Sequence, residues 1–247
     1  MRLNALHRCA ISALALGLSA TFAIPALADT IQWTHWTSAT AGSPGSATGT
    51  VTSTLYGTIT VTYSGQNSGL LTNYPSWTPT STFTGGVVGN APPSANNAIQ
   101  IEGGGTYTES VTFSSPVTDP IFAIWSLGAP NSPAFFDFTA SEPFNVLGGG
   151  PSAEFGGSAI VKQGNNIFGQ EGDGIVQFIG TYSTITFTTP NFESYYALTF
   201  GEDATLTDNP NGPPTPGPAP EPGTLSLLGT ALAAVPLLRR RFARQPS

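Results

Sequence analysis

Few side chains in this sequence are equipped for chemistry, and their spacing narrows the options further. The 247 residues contain two histidines and one cysteine. His35 lies in the run Trp33-Thr34-His35-Trp36, which reads as a strand, and no Gly-x-Ser-x-Gly occurs to mount a nucleophile on an elbow. A serine working with His35 and an acid is the one nucleophilic arrangement left open. Zinc sites call for cysteine and histidine sets that this composition does not supply.

The carboxylates and the rings offer more. Glu171-Gly172-Asp173-Gly174 sets two acids two positions apart in a Gly-rich turn. There a hard cation such as calcium could be held by the carboxylates and turn carbonyls, and an ordinary acidic turn is the alternative. Glu202, Asp203, Asp208 and Asn209 form a second acidic loop with the same two readings. Glycoside hydrolysis needs two acids about 5 to 9 Å apart across a cleft, a distance the sequence leaves open. Trp33, Trp36, Trp77, Trp125, Tyr195 and Tyr196 are the rings on which a sugar could stack. Trp33 and Trp125 fit a buried role, whereas Trp36 and Trp77 sit in polar, loop-rich surroundings and are the ligand candidates. Gly103-Gly104-Gly105 lacks the spacing of a phosphate-binding loop and reads as a turn.

The elements that must position these residues are strands. From Ile31 onward the text is Thr, Ser, Gly, Val, Ile and aromatics in short runs broken by Gly, Pro and Asn. Residues 31–37 read as a first strand and 39–49 as a loop of small residues. Residues 51–63 alternate, with Val51, Leu55, Ile59, Val61 and Tyr63 on one face and Thr52, Thr54, Thr58, Thr60 and Thr62 on the other, a threonine face of the kind that can order water. Residues 67–97 read as long connections with room for one strand. Residues 99–102 and 106–114 are expected to pair as a hairpin around the three glycines. Ile121 to Leu127 is apolar on both faces, which predicts a central strand covered on one side by loops. Residues 135–139, 144–147, 159–163, 174–179, 184–188 and 195–200 continue the series, giving about ten strands at the spacing of an antiparallel β-sandwich or jelly roll.

Charge is distributed unevenly. Six of the seven basic residues lie within the first and last ten positions, and Lys162 is the exception. All fourteen acidic residues fall between Asp29 and Glu221, so a chain trimmed to residues 29–222 carries one basic group against fourteen acidic ones, a formal charge of −13. Such a body cannot neutralise phosphates, which argues against nucleic acid or an anionic membrane as its partner. Residues 1–28 have the layout of a secretory signal: Arg2 and Arg8, an apolar run, then Ala26-Leu27-Ala28 as a signal-peptidase cleavage site. Cys9 would leave with it, so the exported domain must hold together by burial and strand pairing without disulfides. Seven of the thirteen residues 210–222 are proline, an extended linker of roughly 40 Å.

The end of the chain runs Pro220-Glu221-Pro222, then the almost uncharged stretch 223–238, then Arg239-Arg240-Arg241. As a helix, residues 223–238 span about 24 Å against a hydrocarbon core of about 30 Å, a marginal length that can just cross as a single transmembrane helix because the arginines reach to the headgroups on the cytoplasmic side. This order of parts resembles the PEP-CTERM sorting signal of Gram-negative bacteria. The resemblance implies processing by an exosortase-type membrane enzyme, an inner-membrane intermediate, and delivery to the cell envelope or extracellular matrix of bacteria that form exopolysaccharide and biofilms. Ser115-Pro116-Val117-Thr118-Asp119-Pro120-Ile121-Phe122-Ala123-Ile124-Trp125-Ser126-Leu127-Gly128 and Glu171-Gly172-Asp173-Gly174-Ile175-Val176-Gln177-Phe178 are similar to a body domain often found ahead of that signal. That second likeness implies a secreted β-rich domain and no catalytic residues.

The expected molecule is therefore a signal peptide (1–28), a β-sandwich domain (29–209), a Pro-rich linker (210–222) and a sorting signal (220–247). Three functions are in play: a non-catalytic surface or matrix protein, a carbohydrate-binding module using Trp36 or Trp77 with calcium at Glu171 and Asp173, and a glycoside hydrolase. No cofactor other than calcium is implied. Mass spectrometry of the exported form is expected to find Asp29 at the N-terminus and Arg239, Arg240 and Arg241 removed; an intact C-terminus in the medium overturns processing at the tail.

Overall fold

The computed structural model describes residues 28–204 except Asn97, Glu142 and Ser194. The proline-rich linker, the expected membrane segment 223–238, the sorting residues Pro220, Glu221, Pro222, Arg239, Arg240 and Arg241, and residues 1–27 lie outside that range. The described chain is all-β. In order come β1 (Ile31–Trp33), β2 (His35–Thr40), β3 (Gly42–Ser53), β4 (Gly57–Leu71), β5 (Ala98–Ile101), β6 (Glu109–Thr118), β7 (Ile121–Leu127) and β8 (Ala134–Asp137). They are followed by β9 (Phe144–Gly149), β10 (Ser158–Ala159), β11 (Val161–Gln163), β12 (Asn166–Gly169), β13 (Gly172–Phe178), β14 (Thr181–Phe187) and β15 (Tyr196–Asp203). The described helices are two single 3-10 turns, Thr80–Thr82 and Ser94–Asn96, and none is long and apolar enough to cross a membrane.

The stretch 51–63 is a hairpin rather than one strand. Ser53 Oγ accepts the amides of Leu55 and Tyr56 at 3.2 and 3.3 Å, closing a tight turn that Gly57 completes with φ +73°. The alternation survives on both sides of the turn because β3 and β4 pair with Val51 opposite Ile59 and Thr52 opposite Thr58. Residues 39–49, expected as a loop, are strand except at Ala41: Ala39 pairs with Ala47 and Thr40 with Ser46. Small side chains are weak strand formers alone, and here two registered neighbours override that weakness.

The expected hairpin of 99–102 with 106–114 does not form. β5 and β6 both pair with β4 instead, β6 at residues 61–64 and β5 at residues 67–71. This change of neighbour along β4 separates two arms. One runs β2-β3-β4-β6-β14, the other β4-β5-β15-β7-β13-β9, and pairing is antiparallel except for the two-residue β10–β13 contact. The arms bury their inner faces in one core, with Val61, Val111, Phe113 and Phe187 from the first and Phe122, Ile124, Phe178 and Phe200 from the second, an arrangement consistent with a β-sandwich.

β7 is the central strand that its sequence predicts. All seven of its residues are buried. Phe122 and Ile124 enter the main core, while Ile121, Ala123 and Trp125 join Ile31, Trp33, Trp77, Phe83 and Val88 in a second core. That second core is roofed by the loop layer between β4 and β5, so the loop cover anticipated for this strand is present. Phe122 is fully buried, with ring centroids 4.1 Å from Phe200, 4.7 Å from Phe178, 5.9 Å from Phe138 and 6.3 Å from Phe187. Phe122→Ala is expected to cost about 3–5 kcal/mol in denaturant unfolding, while Thr60→Ser on the exposed face of β4 stays within about 0.5 kcal/mol. A loss below about 1 kcal/mol at Phe122 would contradict its place at the centre of the core.

Candidate functional site

The end of β7 departs from regular strand geometry. Ser126 has φ +58°, and the register with β13 slips between Gly172 and Gly174, so Trp125 and Ser126 together face Asp173. This is a β-bulge, and it turns the Ser126 amide away from the ladder. Asp173 takes up that amide through Oδ1 at 2.9 Å, and the Ser126 hydroxyl donates to Glu171 Oε2 at 2.6 Å. Glycine is required beside it, because a Cβ on Gly174 would lie 2.4 Å from the Gly148 carbonyl oxygen.

Three loops close over this bulge. Glu154 accepts the Trp125 indole N–H at 3.1 Å with one oxygen and the Ser76 amide at 2.9 Å with the other. Glu193 accepts the Gly128 amide at 2.5 Å. The Trp125 ring is surrounded by Tyr74, Phe155 and Tyr195, with centroids at 4.9, 5.2 and 5.8 Å, and Phe155 and Tyr195 are 6.0 Å apart. Trp125 is fully buried, whereas Phe155 is 46% and Tyr195 42% exposed. One end of the molecule thus presents two half-exposed rings on a fixed tryptophan base, with the carboxylates of Glu154, Glu171, Asp173 and Glu193 around it.

Burial pushes the Asp173 carboxyl up to about 7, because the Ser126 amide and the approach of Ser152, which favour the charged form, offset desolvation only in part. Its Oδ2 is buried and makes no hydrogen bond of ordinary geometry. Burial likewise raises Glu193 to about 7, with Glu171 adding repulsion. Burial also opposes ionisation of Glu154, but its bonds from Ser76 and Trp125 outweigh it and hold that carboxyl below its ordinary value. Glu154 is therefore a firm anion. Among the described residues no group of three or more His, Cys, Asp or Glu is arranged to hold a metal ion. Glu171 and Asp173 are linked through Ser126, one accepting its hydroxyl and the other its amide.

The two tryptophans expected to bind ligand are corrected by their placement. Trp36 is fully buried against Phe200 at 5.7 Å, and its indole N–H donates to Thr199 Oγ1 at 3.1 Å. Trp77 is 1% exposed and packs edge-on to Phe83 at 5.1 Å. It lies in the wall of a groove of about 480 Å³ with Ser76, Thr78 and Asn90. Neither ring offers a free face for a sugar. They also belong to different cores, Trp36 to the main one and Trp77 to the second, because β2 points its apolar face inward and the loop layer folds Trp77 beneath itself. His35 is exposed on β2 opposite Thr50. Glu202 is 4% exposed and accepts the Ser53 hydroxyl at 2.6 Å, so the second acidic cluster begins inside β15, and Asp208 and Asn209 lie outside the described residues.

Sequence reading passed over Glu154, Phe155, Glu193 and a second buried acid, Glu109. Glu109 accepts from Tyr63, from the Gln66 amide at 2.8 Å and from Thr189 at 3.3 Å, and burial raises it to about 7 against those bonds. A signal for it existed, since Glu109 shares the inward parity of Val111 and Phe113. No family model, curated protein or solved structure matches this chain.

Asp173, Glu193 and Glu109 all have folded values near 7 against about 4 in an unfolded chain. Between those values the folded state binds more protons, so stability is fully present near pH 4 and declines as pH rises through 7. Thermal unfolding is expected to give a Tm several degrees lower at pH 8 than at pH 5, and Asp173→Asn to flatten part of that slope. A Tm that rises over this interval contradicts the buried, hard-to-ionise state of these acids.

Proposed function

We propose that this chain is an exported, non-catalytic surface or extracellular-matrix protein, and that the loop end around Trp125 is where its body meets extracellular polysaccharide. The route rests on the likeness of residues 220–247 to an exosortase-type sorting signal and on the signal-like first 28 residues. The body is read as a jelly-roll-like sandwich that carries loops at its ends. The observation that carries the saccharide reading is the pair of half-exposed rings, Phe155 and Tyr195, held on the buried indole of Trp125. Aromatic faces supply contact area at small entropic loss, and carboxylates beside them can accept hydroxyl hydrogen bonds, the two elements of a sugar site. Here the rings are fixed before any ligand arrives, because Glu154 ties Trp125 to the Ser76 loop.

A calcium-dependent form of the same reading uses Glu171 and Asp173, and its specific support is Asp173 Oδ2, an acceptor buried without a partner.

A glycan array probed with the purified exported protein, with and without a chelator, tests both. Saturable binding is expected, reduced roughly tenfold by Phe155→Ala or Tyr195→Ala with Tm little changed. Loss of binding on chelation selects the calcium form. Absence of binding to every glycan overturns the saccharide reading, and release of shorter products from a bound glycan overturns the non-catalytic one.

A further inference from the structure

Among the described residues, the carboxylates at the ring site have no cation of their own. Glu154, Glu171, Asp173 and Glu193 are drawn together around Trp125, Ser126 and Gly128 by four hydrogen bonds, and repulsion from Glu154 reaches Asp173 while that from Glu171 reaches Glu193. The segments that build this end, residues 72–79, 125–132, 151–157, 170–174 and 190–196, contain no lysine, arginine or histidine. Lys162 is the one basic side chain between residues 9 and 238, and it is engaged elsewhere, donating to the Phe144 carbonyl at 2.6 Å and lying 4.0 Å above the Phe144 ring. The rings add to the same field, because an aromatic face is negative and attracts cations. Asp173 Oδ2, fully buried and without a hydrogen bond of ordinary geometry although Ser152 approaches it, leaves an acceptor poorly satisfied within the cluster.

From this we infer that the ring site takes a positively charged sugar: an oligosaccharide bearing protonated amines, that is, a deacetylated hexosamine chain. The inference rests on the saccharide reading and narrows it. A neutral sugar satisfies the rings and leaves the acidic cluster, with the Glu154 anion at its edge, uncompensated. An anionic one is repelled by them, since like charges held a few ångströms apart in a partly buried setting are costly. A protonated amino sugar meets both demands, with its apolar ring face against Phe155 or Tyr195 and its ammonium against Glu154, whose carboxylate keeps further lone pairs after accepting from Trp125 and Ser76.

Isothermal titration of the purified exported protein at pH 7 with a glucosamine tetramer and with the same tetramer fully N-acetylated tests the charge rule. Affinity for the amine form is expected to exceed that for the acetylated form at least tenfold. Raising salt from about 0.01 M to about 0.15 M, which shortens the Debye length from about 30 Å to about 8 Å, should weaken the amine form several-fold and leave any residual acetylated binding unchanged. Phe155→Ala, Tyr195→Ala and Glu171→Gln should each weaken it, with Tm measured in parallel to confirm folding. Equal or tighter binding of the acetylated tetramer overturns the charge inference and leaves the saccharide reading standing. Tighter binding of a lysine oligopeptide than of either sugar means that the site reads a cation without a sugar, which overturns the inference. No binding of either tetramer overturns it together with the saccharide reading at these rings, and unchanged affinity in both ring variants overturns the location.

Discussion

The burial of β7 on both faces is the constraint on which the rest of the structure depends. A strand reading Ile-Phe-Ala-Ile-Trp-Ser-Leu has no side that water can tolerate, so it needs a sheet across one face and a cover across the other. The opposing arm supplies the first and the loop layer between β4 and β5 supplies the second. That cover also furnishes Tyr74 and Ser76, one packed on Trp125 and the other bound to Glu154. The layer that hides the strand is thus part of the site at its end. The bulge finishes the job: it lets Leu127 return to the main core two residues after Trp125 has entered the second one, and it turns the Ser126 amide toward Asp173.

The buried acids differ in a way that sorts structure from function. Glu109 is fully enclosed, and both of its oxygens receive donors, from Tyr63, Gln66 and Thr189. Room for it is made by Gly65, where a Cβ would sit 1.5 Å from Glu109 Oε2. A satisfied buried carboxylate of this kind joins β4 to β6 and, through Thr189, to the segment that follows β14, and needs nothing further. Asp173 is as deeply buried, yet its Oδ2 makes no hydrogen bond of ordinary geometry; Ser152 lies beside it, and Glu154 adds repulsion. An unsatisfied acceptor inside a cluster of like charge is hard to explain as a stability device, because replacing it by an apolar group would remove the penalty. The half-exposed rings pack on Trp125, whose indole N–H Glu154 accepts.

Much of the framework was legible because hydrophobic parity is a local signal. The class, the all-buried β7, the loop cover and the inward set Ile59, Val61 and Tyr63 follow from spacing alone. Strand partners were less so. Nothing local to residues 99–114 tells that β5 and β6 will take different stretches of β4, since that choice is made by β15 and β14 arriving from the far end of the chain. Trp36 and Trp77 have polar neighbours in sequence and apolar neighbours in space. The alternation around Trp36 points its ring inward, and the loop holding Trp77 folds onto a sheet rather than into solvent. Phe155, Glu154 and Glu193 carried no signal at all: they come from loops about forty residues apart that meet only over Trp125. Glu171 and Asp173 were visible as a pair, but the serine that joins them, Ser126, is invisible until the bulge places it.

The outer face of the first arm explains why charge can be so concentrated at the other end. Between Asp29 and Glu102 the chain has no Asp, Glu, Lys or Arg. What it presents instead is hydroxyl. Ser38, Thr48, Thr62, Thr112 and Thr184 stand in register across five strands, and Thr40, Ser46, Ser64, Ser110 and Thr186 form the next row. The single threonine face seen in sequence is therefore one column of a two-dimensional array with a strand spacing of about 4.8 Å. Exchanging a hydroxyl contact for water is close to neutral in free energy, so such a face stays wet without charge and offers a small solute little to hold. A sheet kept soluble this way needs no lysines, and a body whose one lysine, Lys162, is engaged at Phe144 has none to set beside Glu154, Glu171, Asp173 and Glu193. The field at the ring end is as much a product of what the hydroxyl face omits as of the acids that the loops bring together.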